Sequence, residues 1–154
     1  MQMLGTTGLN LTPWGVTVTD DGRHTFWAPD ASCNWCDIPA DGAPEILQQL
    51  CKALATPAVV QARVGPAAWD RTMAGVCERL LSTLGREVIE IWQLAPFDKE
   101  RIKAGEPARA MLKLRDRGLV RFFSVRVSDL RSAEWVLQSF PLHTFTIDAP
   151  IELE

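Results

Sequence analysis

The chain has no tyrosine and only two histidines among its 154 residues. A protein without tyrosine cannot use a phenol as proton donor, which removes one common general acid. Its apolar runs fall far short of the roughly 20 residues a membrane-spanning helix needs, so an integral membrane protein is not expected. Neither sign of charge dominates: 16 basic and 19 acidic residues give a net charge of −3, with the two signs interspersed. No basic stripe exists to follow a phosphate backbone, so nucleic acid is not an expected partner. Met1-Gln2-Met3-Leu4-Gly5 lacks a basic segment followed by an apolar one, so no secretory signal is read there. Four cysteines without such a signal point to a reducing compartment, and a cytoplasmic location is expected. There is no glycine-rich phosphate loop, nucleophile elbow or metal-binding helix motif.

What remains is an ordinary core-forming composition, 47% hydrophobic and 23% charged, with six tryptophans. The length predicts one domain over 1–154. Residues 1–42 read as a hairpin-rich N-terminal region. Short alternating pieces flank Thr6-Thr7-Gly8, Val16 to Thr19 reads as a strand, and the turn Asp20-Asp21-Gly22-Arg23 would return His24 to Trp27 beside it. From residue 43 helices and strands alternate. Ile46, Leu47, Leu50 and Leu54 share one face of a helix opened by Pro44; Val59 to Val64 is a strand. Met73, Val76, Cys77, Leu80, Leu81 and Leu84 form a helical stripe that stops at Gly85. Val88 to Ala95 is a buried strand. Glu106-Pro107 opens another helix and Gly118 closes it. Arg121 to Val125 is a strand, and Ser128 or Asp129 caps a helix whose inner face holds Leu130, Ala133, Val136 and Leu137. Thr144 to Ile147 is the last strand. This order predicts an α/β fold, an incomplete (βα) TIM-type barrel of about six parallel strands.

In such folds chemistry sits at the C-terminal ends of the strands. The strand from Val88 ends at Ala95, which has no proton to give. Cys33-x-x-Cys36 lies in or near a strand rather than at a helix N-terminus, so structural thiols are expected rather than a redox pair. Zinc would require two further ligands, and Cys51, Cys77, His24 and His143 show no paired spacing. Asp41 and Glu90 read as loop and strand polar residues, and Asp98 to Arg101 as a solvated face. Trp14, Trp27 and Trp69, near turns or strand ends, are candidate anchors for a partner protein, with ordinary core packing the reading favoured for most of the tryptophans near turns or strand ends.

Several stretches resemble the aldo-keto reductases. Met3 to Gly15 is similar to their opening hairpin. Glu78 to Gly85 followed by Val88 to Leu94 is similar to the helix and strand before their catalytic histidine. Leu112 to Arg121 is similar to the next helix and strand. The resemblance implies an eight-stranded βα barrel with a nicotinamide cofactor and a catalytic Asp, Tyr, Lys and His at the strand ends. Position by position, Asp37 matches the aspartate, Asp41 falls where the tyrosine belongs, Arg63 replaces the lysine, and Ala95 replaces the histidine. The Ser-Asn pair that holds the nicotinamide amide falls at Arg126-Val127. The family's first barrel helix has no room between Gly15 and Asp37, and its seventh and eighth strands have no counterpart.

The resemblance therefore implies a truncated, catalytically degenerate relative. Asp37, Asp41, Arg63 and Ala95 are relic positions, and Asp37 and Arg63 are expected to pair as a salt bridge at the barrel mouth. No bound cofactor or metal is expected. The expected role is that of a non-catalytic structural or accessory subunit, with a second copy or another subunit covering the open side of the barrel. The alternative is an NADPH-dependent oxidoreductase unit completed by a partner chain. A third reading is a small-molecule binding module around Asp37 and Arg63.

Overall fold

The structure, a computed structural model, describes residues 2–4, 6–12, 15–18, 24–25, 33–53 and 59–148. Strands β1 (Gln2–Met3) and β2 (Asn10–Leu11) pair antiparallel, forming the hairpin predicted around Thr6-Thr7-Gly8. The Thr7 hydroxyl donates to Leu4 O (2.6 Å) and accepts from Leu9 N–H (3.1 Å), while Gly8 takes the positive φ of 73° that the turn requires. The hairpin is tied to the main sheet by Trp35, whose indole N–H donates to Thr12 O (3.1 Å). Gly15 lies directly against that ring: a Cβ there would come within 2.1 Å of it, so only glycine fits.

The main sheet contains β3 (Val16–Val18), β4 (His24–Thr25), β5 (Trp35–Pro39), β6 (Val59–Val64), β7 (Ile89–Leu94), β8 (Val120–Val127) and β9 (Thr144–Ile147). They run in the order β4-β3-β5-β6-β7-β8-β9, antiparallel only between β3 and β4. Six parallel strands in sequence order make the expected incomplete (βα) barrel, and β4 is the predicted return strand.

Helices α1 (Pro44–Ala53), α2 (Met73–Leu84), α4 (Glu106–Asp116) and α5 (Leu130–Ser139) cover one face, with the short α3 (Lys99–Lys103) between β7 and α4. Each begins and ends for a local reason. Gly85, at φ 63°, lets its N–H cap α2 on Leu81 O and Ser82 O. Asp129 caps α5, its carboxylate accepting Ser132 N–H at 2.8 Å. Asp98 does the same for α3 on Arg101 N–H, so the charged run expected to be a solvated face contains a helix cap.

Parallel pairing places Ala62 beside Ile38 and Trp92, and Trp92 beside Phe123. These residues, with Val60, Val64, Leu94 and Val125, form the apolar core under the helices. From α5, Ala133 and Val136 pack on it, followed by Phe140 just past the helix end. Leu130 and Leu137, expected on that inner face, are 71% and 56% exposed. At 100° per residue they lie on the flank of the packing stripe, beyond the reach of the sheet beneath.

His143 joins β8 to the start of β9. Its Nδ1 accepts Phe123 N–H (3.2 Å) and its own N–H donates to Phe123 O (3.1 Å). The first bond requires an unprotonated Nδ1. Burial, and then the Arg115 charge, hold the imidazole below its usual 6.5. Above pH 6.5 the ring is neutral whether the chain is folded or not. As the pH falls below that value the unfolded chain takes up a proton that the folded one resists. Stability to urea should therefore decline below pH 6.5 and level off once the folded-state value is passed. His143→Asn should flatten this part of the profile, which equilibrium unfolding across the range would show.

Candidate functional site

The pleat divides the sheet into two chemistries. Opposite the helix-side core, successive strands place Asp37, Gln61, Arg63, Gln93, Ser124, Arg126 and Thr146 on the inner face. Gln93 and Ser124 are fully buried there. Gln93 Nε2 donates to Ser124 Oγ (3.2 Å) and Thr146 Oγ1 (2.8 Å), so a polar ladder crosses three strands.

Above this ladder, at the C-terminal ends of the strands, lies a cleft of about 1020 Å³. Val18, Pro39, Arg63, Ala95, Arg126 and Asp148 line it at the ends of β3, β5, β6, β7, β8 and β9 in turn. The loop after β5 adds Asp41, and α1 adds Ile46 and Leu47. The ends are held by backbone bonds: Ala40 N–H to Arg63 O (2.7 Å), Ala95 N–H to Val64 O (3.2 Å), and Asp148 N–H to Val127 O (3.0 Å).

At its floor Asp37 faces two guanidiniums. Arg63 Nε lies 3.1 Å from Asp37 Oδ1, and Arg126 Nη1 lies 3.9 Å from Oδ2. Arg63 also donates to Val18 O. The Asp37–Arg63 salt bridge is the one expected from the sequence. Burial pushes the Asp37 carboxyl above its usual range, outweighing the opposing pull of Arg63, Gln61 and Arg126. Arg126 then turns its fork outward onto Asp148: Nε stands 2.9 Å from each carboxylate oxygen and Nη2 2.7 Å from Oδ1. This arginine holds the Asp148 carboxyl below the ordinary carboxylate range.

The four relic positions thus lie together around one cleft, with Ala95 and Asp41 on its walls and Asp37 and Arg63 joined at its base. Arg126 and Asp148 complete the group; the sequence places Arg126 only at the amide-binding position and gives Asp148 no role. Gln61 and Arg63 alternating with valines and alanine along β6 mark the inner face most plainly, whereas β7 and β8 mix Ile91 and Phe122 with Gln93, Ser124 and Arg126 on that side. The pairing of Arg126 with Asp148 depends on the alignment of β8 with β9 and has no local signature.

The remaining candidates fall elsewhere. Trp69, a candidate partner anchor, is only 3% exposed: the 3-10 turn Pro66–Ala68 folds it back so that its indole N–H donates to Val64 O (2.8 Å). Its ring is therefore core, not docking surface. Trp14 and Trp27 lie outside the described residues. Glu90 is a strand residue, as expected, bonded to Val60 N–H and Arg86. Cys33 and Cys36 are buried thiols that form no disulfide, and Cys33 Sγ lies 3.2 Å from Trp35 O. No group of three His, Cys, Asp or Glu among the described residues could hold a metal ion. No described helix is long and apolar enough to cross a membrane. Burial, reinforced by Glu78, pushes the Cys77 thiol up to about 12. Iodoacetamide at pH 8 should therefore spare Cys77 in the folded chain and label it after denaturation, as peptide mass mapping would show.

No family profile and no curated protein sequence matches the chain. Solved structures do. A thermostable aldo-keto reductase solved with the inhibitor epalrestat superposes with a TM-score of 0.77 at 19% identity, covering 99% of this chain and 63% of its own. An aldo-keto reductase from Bacillus halodurans in its holo form gives 0.75 at 15% identity, over 96% of this chain and 57% of its own. An aldo/keto reductase from Klebsiella pneumoniae in complex with NADP and acetate gives 0.69 at 18% identity, over 90% of this chain and 54% of its own. The chain has the fold of these proteins and spans somewhat more than half their length.

Proposed function

We propose that this chain is a non-catalytic protein built on the aldo-keto reductase fold, serving as a structural or accessory subunit of a larger assembly. One observation carries the reading. Where the resemblance places Asp, Tyr, Lys and His, the cleft holds Asp37, Asp41, Arg63 and Ala95, with Asp37 engaged by two guanidiniums. A carbonyl reductase needs a group that gives a proton to the developing alkoxide. A guanidinium stays protonated at any ordinary pH and an alanine offers nothing. Of the family's four groups only the aspartate survives, as Asp37 at the cleft floor beside two arginines, and the tyrosine's place is taken by Asp41, a shorter side chain on the wall.

The nicotinamide fits no better. Of the two residues aligned with the amide-binding Ser-Asn pair, Arg126 has donors but no acceptor for an amide N–H, and Val127 is buried in the helix-side core. No reaction step through that cofactor follows from this chain's residues. The proposed partner, another subunit or a second copy, would lie on the β9 side. Supporting this, Leu130 and Leu137 of α5 are exposed and Phe145 of β9 is 37% exposed, and β9 has β8 as its only neighbour among the described strands.

The second reading, an NADPH-dependent oxidoreductase unit completed by a partner chain, draws on the cleft's size and on the NADP in the Klebsiella structure. Native purification followed by mass spectrometry and light scattering separates the two. The first reading expects a stoichiometric partner or a dimer, with no carbonyl-dependent NADPH oxidation. Carbonyl-dependent oxidation by the purified assembly, lost on mutation of this chain's cleft, would replace it with the second.

A further inference from the structure

We propose that the strand-end cleft is a receptor site for a small monocarboxylate with an apolar body, which seats on Arg126 by displacing Asp148. The inference does not depend on the subunit role, since it concerns only what the cleft of this chain recognises.

The internal contact already shows the recognition geometry. A carboxylate meets the Nε and Nη2 edge of Arg126 at 2.7 to 2.9 Å, the two-pronged arrangement that makes arginine selective for planar acids. Asp148 fills that position from the protein itself. It is a replaceable occupant: its side chain is 53% exposed, and its backbone is held separately by the bond from its N–H to Val127 O. The carboxylate can swing into water without unseating the end of β9. The incoming acid remakes the same contact, so the exchange costs only the release of a half-exposed intramolecular partner.

The guanidinium, in contrast, stays in place. Its Nη1 faces Asp37, and the same Asp37 carboxylate holds Arg63 from the other side. Asp37 is a buried strut that fixes both cations at the cleft floor. The remaining lining sets the rest of the ligand. Val18, Pro39, Ile46, Leu47, Pro66 and Phe97 offer apolar walls, and the volume, about 1020 Å³, is ample for a ring or a short chain. Asp41 also lines the cleft and would repel a second carboxylate. A monoacid with a hydrophobic body satisfies all of these features.

Isothermal titration of the full chain with 3-phenylpropionate, at matched ionic strength, tests this. The neutral amide of the same acid and inorganic phosphate should each bind at least about tenfold more weakly, the value of a charge-assisted planar contact. Asp148→Asn removes the competitor and should tighten the acid about two- to fivefold. Arg126→Lys keeps the charge but loses the fork, and should weaken the acid while narrowing its advantage over phosphate. Because Arg126 variants can disturb the sheet, the Asp148→Asn comparison is decisive: that change is on the surface and leaves the backbone bond intact. Equal binding of acid and amide, preference for phosphate, no binding by either the native chain or Asp148→Asn, or unchanged or weaker binding after Asp148→Asn would each overturn the proposal.

Discussion

Replacing Trp92 by alanine should destabilise the chain by about 3–5 kcal/mol, measured as a lower urea midpoint at nearly constant slope. Trp92 lies in the centre of β7, fully buried, with Ala62 on one neighbouring strand and Phe123 on the other. The small alanine beside it makes room for the indole under the helices, and its loss would leave a void in the core. A domain of this size has a total stability of only about 5–15 kcal/mol, so the variant should be near unfolding at room temperature. The indole also carries a cost. Its Nε1 is buried without a hydrogen-bond partner. Trp92→Phe loses one ring but also removes that unpaired donor, so it should cost much less, about 1–2 kcal/mol. Equal losses for Phe and Ala would mean that the indole N–H is satisfied in solution.

Glu90→Ala should cost about 2–4 kcal/mol. Residue 90 lies on the helix side of β7, where charge is not expected, and it is 7% exposed. One carboxylate oxygen accepts Val60 N–H at 2.9 Å and the other accepts Arg86 Nη2 at 2.6 Å. The β6–β7 ladder begins one residue later, at Gln61 and Ile91. Glu90 therefore supplies, from its side chain, the acceptor that the ladder has not yet reached. Alanine would leave a central-strand amide without a partner and Arg86 without its carboxylate. Glu90→Gln keeps an acceptor for Val60 and should recover roughly half of the loss, since a neutral bond has about half the strength of a charged one. Thermal unfolding of the two variants side by side would measure the difference.

The sequence carries the elements because each has a local cause. Val59 to Val64 is valine-rich and bounded by proline and glycine, the α2 stripe ends at a glycine able to adopt positive φ, and Asp129 stands where a cap is required. The relic positions are legible because they sit at strand ends, where the alignment with reductases needs no knowledge of packing. Other features depend on what lies beside an element. Leu130 and Leu137 complete an apolar face by periodicity, yet the sheet is wide enough only for Ala133, Val136 and Phe140. Trp69 follows a turn, and only the path of that turn shows the indole folding back onto Val64. Arg126 and Asp148 are 22 residues apart and meet only because β8 and β9 run parallel in a fixed alignment.

That alignment has a consequence for assembly. Along β6 the side chains Val60, Ala62 and Val64 go to one face, and Gln61 and Arg63 to the other; toward their C-terminal ends β7 and β8 do the same, with Trp92, Leu94, Phe123, Val125 and Val127 opposite Gln93, Ser124 and Arg126. Sliding any one of these strands by a single residue would drive an arginine or glutamine beneath the helices and send valines or leucine toward the cleft. The two faces therefore proofread each other: a misaligned strand is rejected on both sides at once. Had the inner face been aliphatic throughout, as in many fully enclosed parallel sheets, a slipped strand would still find apolar company on either face. The polarity that gives the cleft its chemistry also leaves the sheet one acceptable way to form.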